Sequence, residues 1–167
     1  MHAVILGIGN IILSDEGVGV RAVEDLERRY CLPEGVAAID GGTSAMELLD
    51  DLSDLDLLVV LDTIVAGKPP GTVIRLAGDE VPVFFRRKLS PHQISLADVL
   101  ASLELIGHLP REVVVIGVQP ESLELGLDLT PVVAARVVQV AALAADELAA
   151  RGCLLALRAP AQGNSHA

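Results

Sequence analysis

Apolar runs alternating with helix-forming stretches predict an α/β fold in three layers: a mostly parallel, five-stranded twisted sheet with helices on both faces and one strand antiparallel. Two observations carry this. Runs such as Leu57-Leu58-Val59-Val60-Leu61 and Val113-Val114-Val115-Ile116 lack the alternation of half-exposed strands, so they read as strands covered on both sides. The chain is 167 residues long and 51% hydrophobic, enough for one packed domain and too short for two. Aromatic residues make up 2%, so aliphatic side chains must supply the core.

The first strand, Ala3 to Leu6, runs into Gly7-Ile8-Gly9-Asn10, and a helix follows from about Gly17 to Tyr30. Pro33-Glu34-Gly35 turns the chain into a second strand, Val36 to Ile39, which ends at Asp40-Gly41-Gly42-Thr43. Ser44, with Glu47 three residues on, marks a capped helix reaching Leu52. The third strand, Leu57 to Leu61, ends at Asp62. Gly67-Lys68-Pro69-Pro70-Gly71 then leads to a fourth strand, Thr72 to Leu76, by a link too short for a helical crossover. That strand is expected to be antiparallel and near an edge.

A variable loop reaches Ser90-Pro91-His92, a helix runs from about Ser95 to Leu105, and the fifth strand is Val113 to Gly117. Thr130 as N-cap and Pro131 in the first turn start a C-terminal helix, Val132 to Leu148. Arg136, Gln139, Asp146, Glu147 and Arg151 fall in one arc of its wheel, so it reads as a surface helix and not a membrane span. Residues 1–152 form the single domain, and 153–167 read as a disordered tail.

A net charge of -11 argues against a nucleic-acid partner. The cluster Arg86-Arg87-Lys88 reads as a solvated loop or a docking patch for an acidic protein. Cys31 and Cys153 show no metal or redox spacing, and Met1-His2-Ala3 has no basic region ahead of its apolar run. Both features fit a cytoplasmic protein without membrane insertion.

Each of the first three strands leads to a carboxylate: Asp15 and Glu16 by way of a loop, Asp40 and Asp62 directly. Ligand sites in such sheets lie outside the carboxyl ends of the strands, where clustered carboxylates need shared protons, a positive partner or a cation. His92, in a loop entering a helix, is the candidate nitrogen ligand. Singly, these residues have plain roles: Asp40 as a turn residue for Gly41-Gly42, Asp62 as an acceptor of loop amides, His92 as a histidine at a helix start. Together, Glu16, Asp62 and His92 supply two oxygen ligands and one nitrogen, a set suited to zinc or nickel with positions left open.

Gly7-Ile-Gly-Asn10, Asp15-Glu-Gly-Val-Gly19-Val-Arg21, Asp40-Gly-Gly-Thr43, the strand ending at Asp62, Ser90-Pro-His92-Gln93 and Ile116-Gly-Val-Gln119-Pro120 occur in this order. In this they resemble the nickel-iron hydrogenase maturation endopeptidases, over nearly everything from Ala3 to about Leu148. Val81 to Gln93 looks most like the branch serving membrane-bound uptake hydrogenases. The resemblance implies a twisted sheet flanked by helices and removal of a C-terminal extension from the precursor of the hydrogenase large subunit. It further implies that Glu16, Asp62 and His92 bind nickel carried by that precursor, without an organic cofactor. For the chemistry, Asp40 is the candidate general base, with the amides around Gly41-Gly42 facing a developing oxyanion; nickel polarising the carbonyl or the water is the alternative. The family usually has glycine where this chain has Ala45, and a positive φ there would cost alanine about 1 kcal/mol.

Two other classes compete. A dinucleotide-binding domain is suggested by Gly7-x-Gly9, although Ile12 stands where a third glycine belongs. A phospho-accepting, receiver-like domain would use Asp62 as acceptor, but no lysine follows the fifth strand.

Overall fold

The computed structural model describes residues 1–87 and 96–159. Along the chain, β1 (Ala3–Ile8) leads through a 3-10 turn, Ser14–Gly17, to α1 (Val18–Arg29), β2 (Tyr30–Cys31) and β3 (Val36–Gly42). A second 3-10 turn, Ala45–Leu48, precedes β4 (Leu57–Thr63), β5 (Val73–Ala77), α2 (Glu80–Arg87) and α3 (Leu96–Ile106). The chain continues through β6 (Glu112–Val118), α4 (Pro131–Ala134), α5 (Val137–Ala149) and β7 (Ala156–Leu157).

Five strands form the main sheet in the order β3-β1-β4-β6-β5. β1, β3, β4 and β6 run parallel, and β5 pairs antiparallel with β6 at one edge, as the short link before it requires. All of β4 is buried, which accounts for its unbroken apolar run. Alternation along β1 sends Ala3 and Ile5 into a core with Val23, Leu26, Ala141 and Leu148 of α1 and α5. Val4 and Leu6 point the other way, towards Val81 and Phe85 of α2 and Val99 and Leu103 of α3. Each such aliphatic side chain contributes about 1.5–3 kcal/mol when fully buried.

Several elements differ from the sequence expectation. The segment Glu80–Arg87 is helical where a loop is expected. Its Glu80 carboxylate accepts the Ala77 N–H, and its Pro82 sits in the first turn, where no intrahelical donor is lost. Conversely, the helix expected from Ser44 to Leu52 shrinks to the 3-10 turn Ala45–Leu48, without a side-chain cap from Ser44. The run that follows, Asp50-Asp51-Leu52-Ser53-Asp54, is rich in residues that favour turns over helix interiors. Ala45 opens that turn in a right-handed backbone conformation open to alanine.

The C-terminal helix is split. Thr130 occupies the N-cap position without a side-chain cap bond, and an i→i+3 bond from Arg136 N–H to the Val133 carbonyl separates α4 from α5. Part of the expected tail is ordered, because α1 ends in carbonyls that need donors. Arg158 supplies them, its N–H to the Arg29 carbonyl and its Nε to that of Glu27. Leu155 is buried, and β7 pairs antiparallel with β2. Residues 160–167 lie outside the described residues. Both cysteines are free, and among the described residues no helix is long and apolar enough to cross a membrane.

A charged network fastens β5 and the start of β6 to α5. Arg75 makes a two-point contact with Glu147, and Arg151 bridges Glu147 and Glu112. The arginine contacts hold the Glu147 and Glu112 carboxyls below their ordinary value of 4.5. Carboxylates with a lowered folded-state value contribute their full stability above the ordinary, unfolded-state value and lose it as pH falls from there through the depressed one. The melting temperature should therefore fall as pH drops below about 4.5. Glu147→Gln should melt lower than the wild type at pH 6 and show a shallower acid-dependent fall, as read by thermal melts from pH 6 to pH 3.

Candidate active site at the carboxyl edge of the sheet

Two glycines let the loop after β1 fold back onto the strand ends. Gly9 has φ 132°, and a Cβ built there would lie 1.9 Å from the Glu16 carbonyl oxygen. A Cβ on Gly19 would lie 2.0 Å from the Leu61 carbonyl oxygen. Both contacts are closer than any side chain permits, so the 3-10 turn Ser14–Gly17 and the start of α1 press against the ends of β1 and β4. The turn thereby carries Glu16 to the edge where Asp62 lies, next to last in β4.

The neighbouring acids of this turn have different environments. Asp15 is 0% exposed. Its Oδ2 accepts the backbone N–H groups of Glu121 and Ser122 at 2.9 and 3.0 Å. Its Oδ1 accepts the Thr130 N–H at 2.8 Å, and the Thr130 hydroxyl donates to the same carboxylate. This buried charge outcompetes the helix N-terminus for the Thr130 side chain, which explains the missing cap. Glu16, half-buried, makes no side-chain hydrogen bond or ion pair among the described residues.

Asp62 is 1% exposed, and its Oδ1 accepts the Thr63 N–H at 2.7 Å. Asp40, at the end of β3, is exposed. Its Oδ1 accepts the Gly42 N–H at 2.9 Å, the turn-forming bond expected of an aspartate before two glycines. That amide, expected to face an oxyanion, thus already has an acceptor. Asp40 Oδ2 makes no hydrogen bond among the described residues. His92 lies outside the described residues, and among those described no three His, Cys, Asp or Glu side chains gather to hold a metal.

Sequence reasoning missed the role of two residues that build the rim. Asp15 reads in the sequence as one more carboxylate of the edge beside Glu16, yet it clamps the loop that runs to Thr130. Its partners lie 106 to 115 residues away, so no local pattern shows the role. Gln119 is buried, and its Oε1 accepts the Ala66 and Lys68 N–H groups at 2.8 and 3.3 Å. It fixes the loop that follows Asp62 and stands just beyond β6, where a receiver-like domain would need lysine.

A family model described as hydrogenase maturation protease (HycI) matches residues 20–147. The hydrogenase 2 maturation protease of Escherichia coli (strain K12) is 50% identical over 138 residues, spanning 82% of this chain and 84% of that protein. The chain belongs to the hydrogenase maturation protease family.

Membership makes this protein a hydrolase that cleaves internal peptide bonds. HoxM of Azotobacter vinelandii, a hydrogenase expression/formation protein, is 43% identical over 159 residues, 94% of this chain and 77% of that one. The fold matches HybD, the hydrogenase maturating endopeptidase of E. coli, with a TM-score of 0.90 at 45% identity, covering 95% of this chain and 98% of HybD. Family membership sets aside both competing classes. The structure adds a reason in each case: the space Gly9 opens is filled by the protease's own Glu16 carbonyl, not left for a pyrophosphate, and Gln119 holds the loop after β4.

The different environments of Asp15 and Glu16 are open to measurement. Asp15→Ala leaves three backbone donors and a hydroxyl without their buried acceptor, and should lower unfolding free energy by about 3 kcal/mol. Glu16→Gln loses no described partner and should change stability by less than about 0.5 kcal/mol. Urea unfolding of the two variants beside the wild type checks both.

Proposed function

We propose that this protease removes a C-terminal extension from the nickel-loaded precursor of a nickel-iron hydrogenase large subunit. In this reading Glu16, Asp62 and His92 grip the nickel that the precursor carries. The observation that carries it is the Glu16 carboxylate, half-buried at the carboxyl edge of the sheet and without a partner among the described residues, beside a strand whose last residues include buried Asp62. A carboxylate held in that setting favours a cation. The oxygen and nitrogen donors suit nickel, and three protein ligands leave positions for donors of the precursor. Gripping the substrate's metal fixes the scissile bond in place, so recognition becomes proximity. We assign the reaction to the cytoplasm, in keeping with the free thiols of Cys31 and Cys153.

Asp40 acts as general base. The Gly42 N–H orients its carboxylate through Oδ1, and Oδ2 takes a proton from water as the water oxygen attacks the scissile carbonyl. The C–N bond then breaks, the leaving amine takes up a proton, and the mature C-terminus departs as a carboxylate. Polarisation of the carbonyl or the water by nickel is the other route to the same products.

Two substitutions test this reading with purified precursor. His92→Ala should keep the wild-type melting temperature and abolish processing of the nickel-loaded precursor; normal cleavage by that variant would remove the metal grip. Asp40→Asn should still bind the precursor while losing at least about a hundredfold in turnover, the scale of general-base catalysis. Equal loss of binding and cleavage would leave Asp40 a turn residue alone.

A further inference from the structure

Among the described residues, β3 forms one edge of the main sheet and pairs with β1 alone. The Ala3 N–H donates to the Gly35 carbonyl, and Ala3 lies opposite Val36 in a parallel register. This phase turns the amides and carbonyls of Ala37 and Ile39 towards β1 and those of Ala38 and Asp40 outwards. Neither Ala38 nor Asp40 makes an outward backbone hydrogen bond among the described residues. Edge strands are ordinarily guarded by lysine, proline or inward-pointing charge. The opposite edge strand, β5, has Arg75 at its centre. The run Val36-Ala37-Ala38-Ile39 has no such guard: it is uncharged and free of proline.

We propose that this edge takes the extension of the precursor as an added antiparallel strand. The proposal rests on the peptidase reading above and specifies how the segment beyond the scissile bond is held. The edge runs directly into Asp40, so a peptide whose metal-bearing end lies at Glu16 and Asp62 passes Asp40 and continues along β3 towards Val36. Ala38 and Asp40, two residues apart, present donor and acceptor pairs at the roughly 6.6 Å spacing that alternate residues of an extended chain match. Ile39 and Leu48, both half-buried, with Leu48 lying against Gly41, offer apolar contacts to one face of that strand. The ligand is therefore an extended segment, largely apolar and poor in acidic residues, since a chain of net charge -11 repels them. The same charge disfavours a second copy of this protein on the edge.

Ala38→Pro removes one outward N–H without touching the β1 pairing, and proline is tolerated in edge strands at such positions. The variant should melt close to the wild type and show a KM for the nickel-loaded precursor raised roughly fivefold to tenfold, the loss of one net hydrogen bond. Its kcat should stay within about twofold of the wild type. A scan of single prolines through the extension, cleaved by the wild-type protease, should raise KM with a period of two; this arm stands even if Ala38→Pro fails to fold. Amide exchange at Ala38 and Asp40 should slow when precursor is added, a readout that needs no cleavage. An unchanged KM in a folded variant, a proline scan without that period, or unprotected amides would overturn the strand pairing. So would a dimer in size exclusion that Ala38→Pro dissolves, which assigns the edge to a second copy. Failure of the wild type to cleave the nickel-loaded precursor, with both amides still protected, would instead overturn the peptidase assignment.

Discussion

The Asp15 carboxylate, fully buried and supplied with hydrogen bonds by Glu121, Ser122 and Thr130, joins two loops that are far apart in sequence at the edge carrying the candidate site. A buried charge is tolerated only when its oxygens are satisfied, and here the donors come from one segment just beyond β6. Around this centre the loops are laced further. The Ser14 N–H donates to the Gly126 carbonyl and its hydroxyl to that of Glu124, while the Gly126 N–H donates to Ile12. The turn that presents Glu16 is held on both sides, by strand ends beneath it and by the Asp15 loop beside it. A positioned carboxylate needs such support, because long side chains on free loops lose orientation.

The adjacency of Asp15 and Glu16 shows how one step along the chain separates a buried, fully bonded carboxylate from a half-buried one at the edge. In a 3-10 turn, successive side chains point about 120° apart, so Asp15 can enter the protein while Glu16 faces the edge. Both oxygens of Asp15 already accept hydrogen bonds from Glu121, Ser122 and Thr130. Glu16 has none among the described residues, and this difference in partners, not residue type, is what separates the two acids. Asp40 stands between these cases, with one oxygen held by Gly42 and the other without a hydrogen bond among the described residues.

Much of the fold is legible in the sequence, because fully buried parallel strands leave uninterrupted apolar runs. The antiparallel edge strand is legible too, since a link such as Gly67-Lys68-Pro69-Pro70-Gly71 cannot cross a sheet. What escapes has physical causes. The helix Glu80–Arg87 announces itself with Glu80, an early Pro82 and buried Val81 and Phe85 four residues apart, but the proline reads as a breaker unless it is placed in the first turn. The helix expected after Ser44 has a convincing cap and a poor interior. At the site, residue types and strand ends can be read directly, whereas the division of labour between Asp15 and Glu16 depends on Thr130 and Ser122, which no local spacing connects to them.

The rim of the site is asymmetric, and this bears on how a peptide reaches it. On the β4 and β6 side, Gln119 pins the Ala66–Lys68 backbone and Asp15 pins the loop reaching Thr130. Those backbone groups are already paired and offer a substrate chain little. On the β3 side the backbone at Ala38 and Asp40 has outward donors and acceptors with no partner among the described residues. Main-chain recognition suits an enzyme that must hold a flexible segment, because each bond made also restrains the chain next to the bond to be broken. The catalytic aspartate of the proposed reaction stands at the end of that open strand. The residue that would take the water's proton therefore belongs to the surface that would align the peptide, and a shift in the peptide's register along β3 would move the scissile carbonyl away from Asp40 Oδ2.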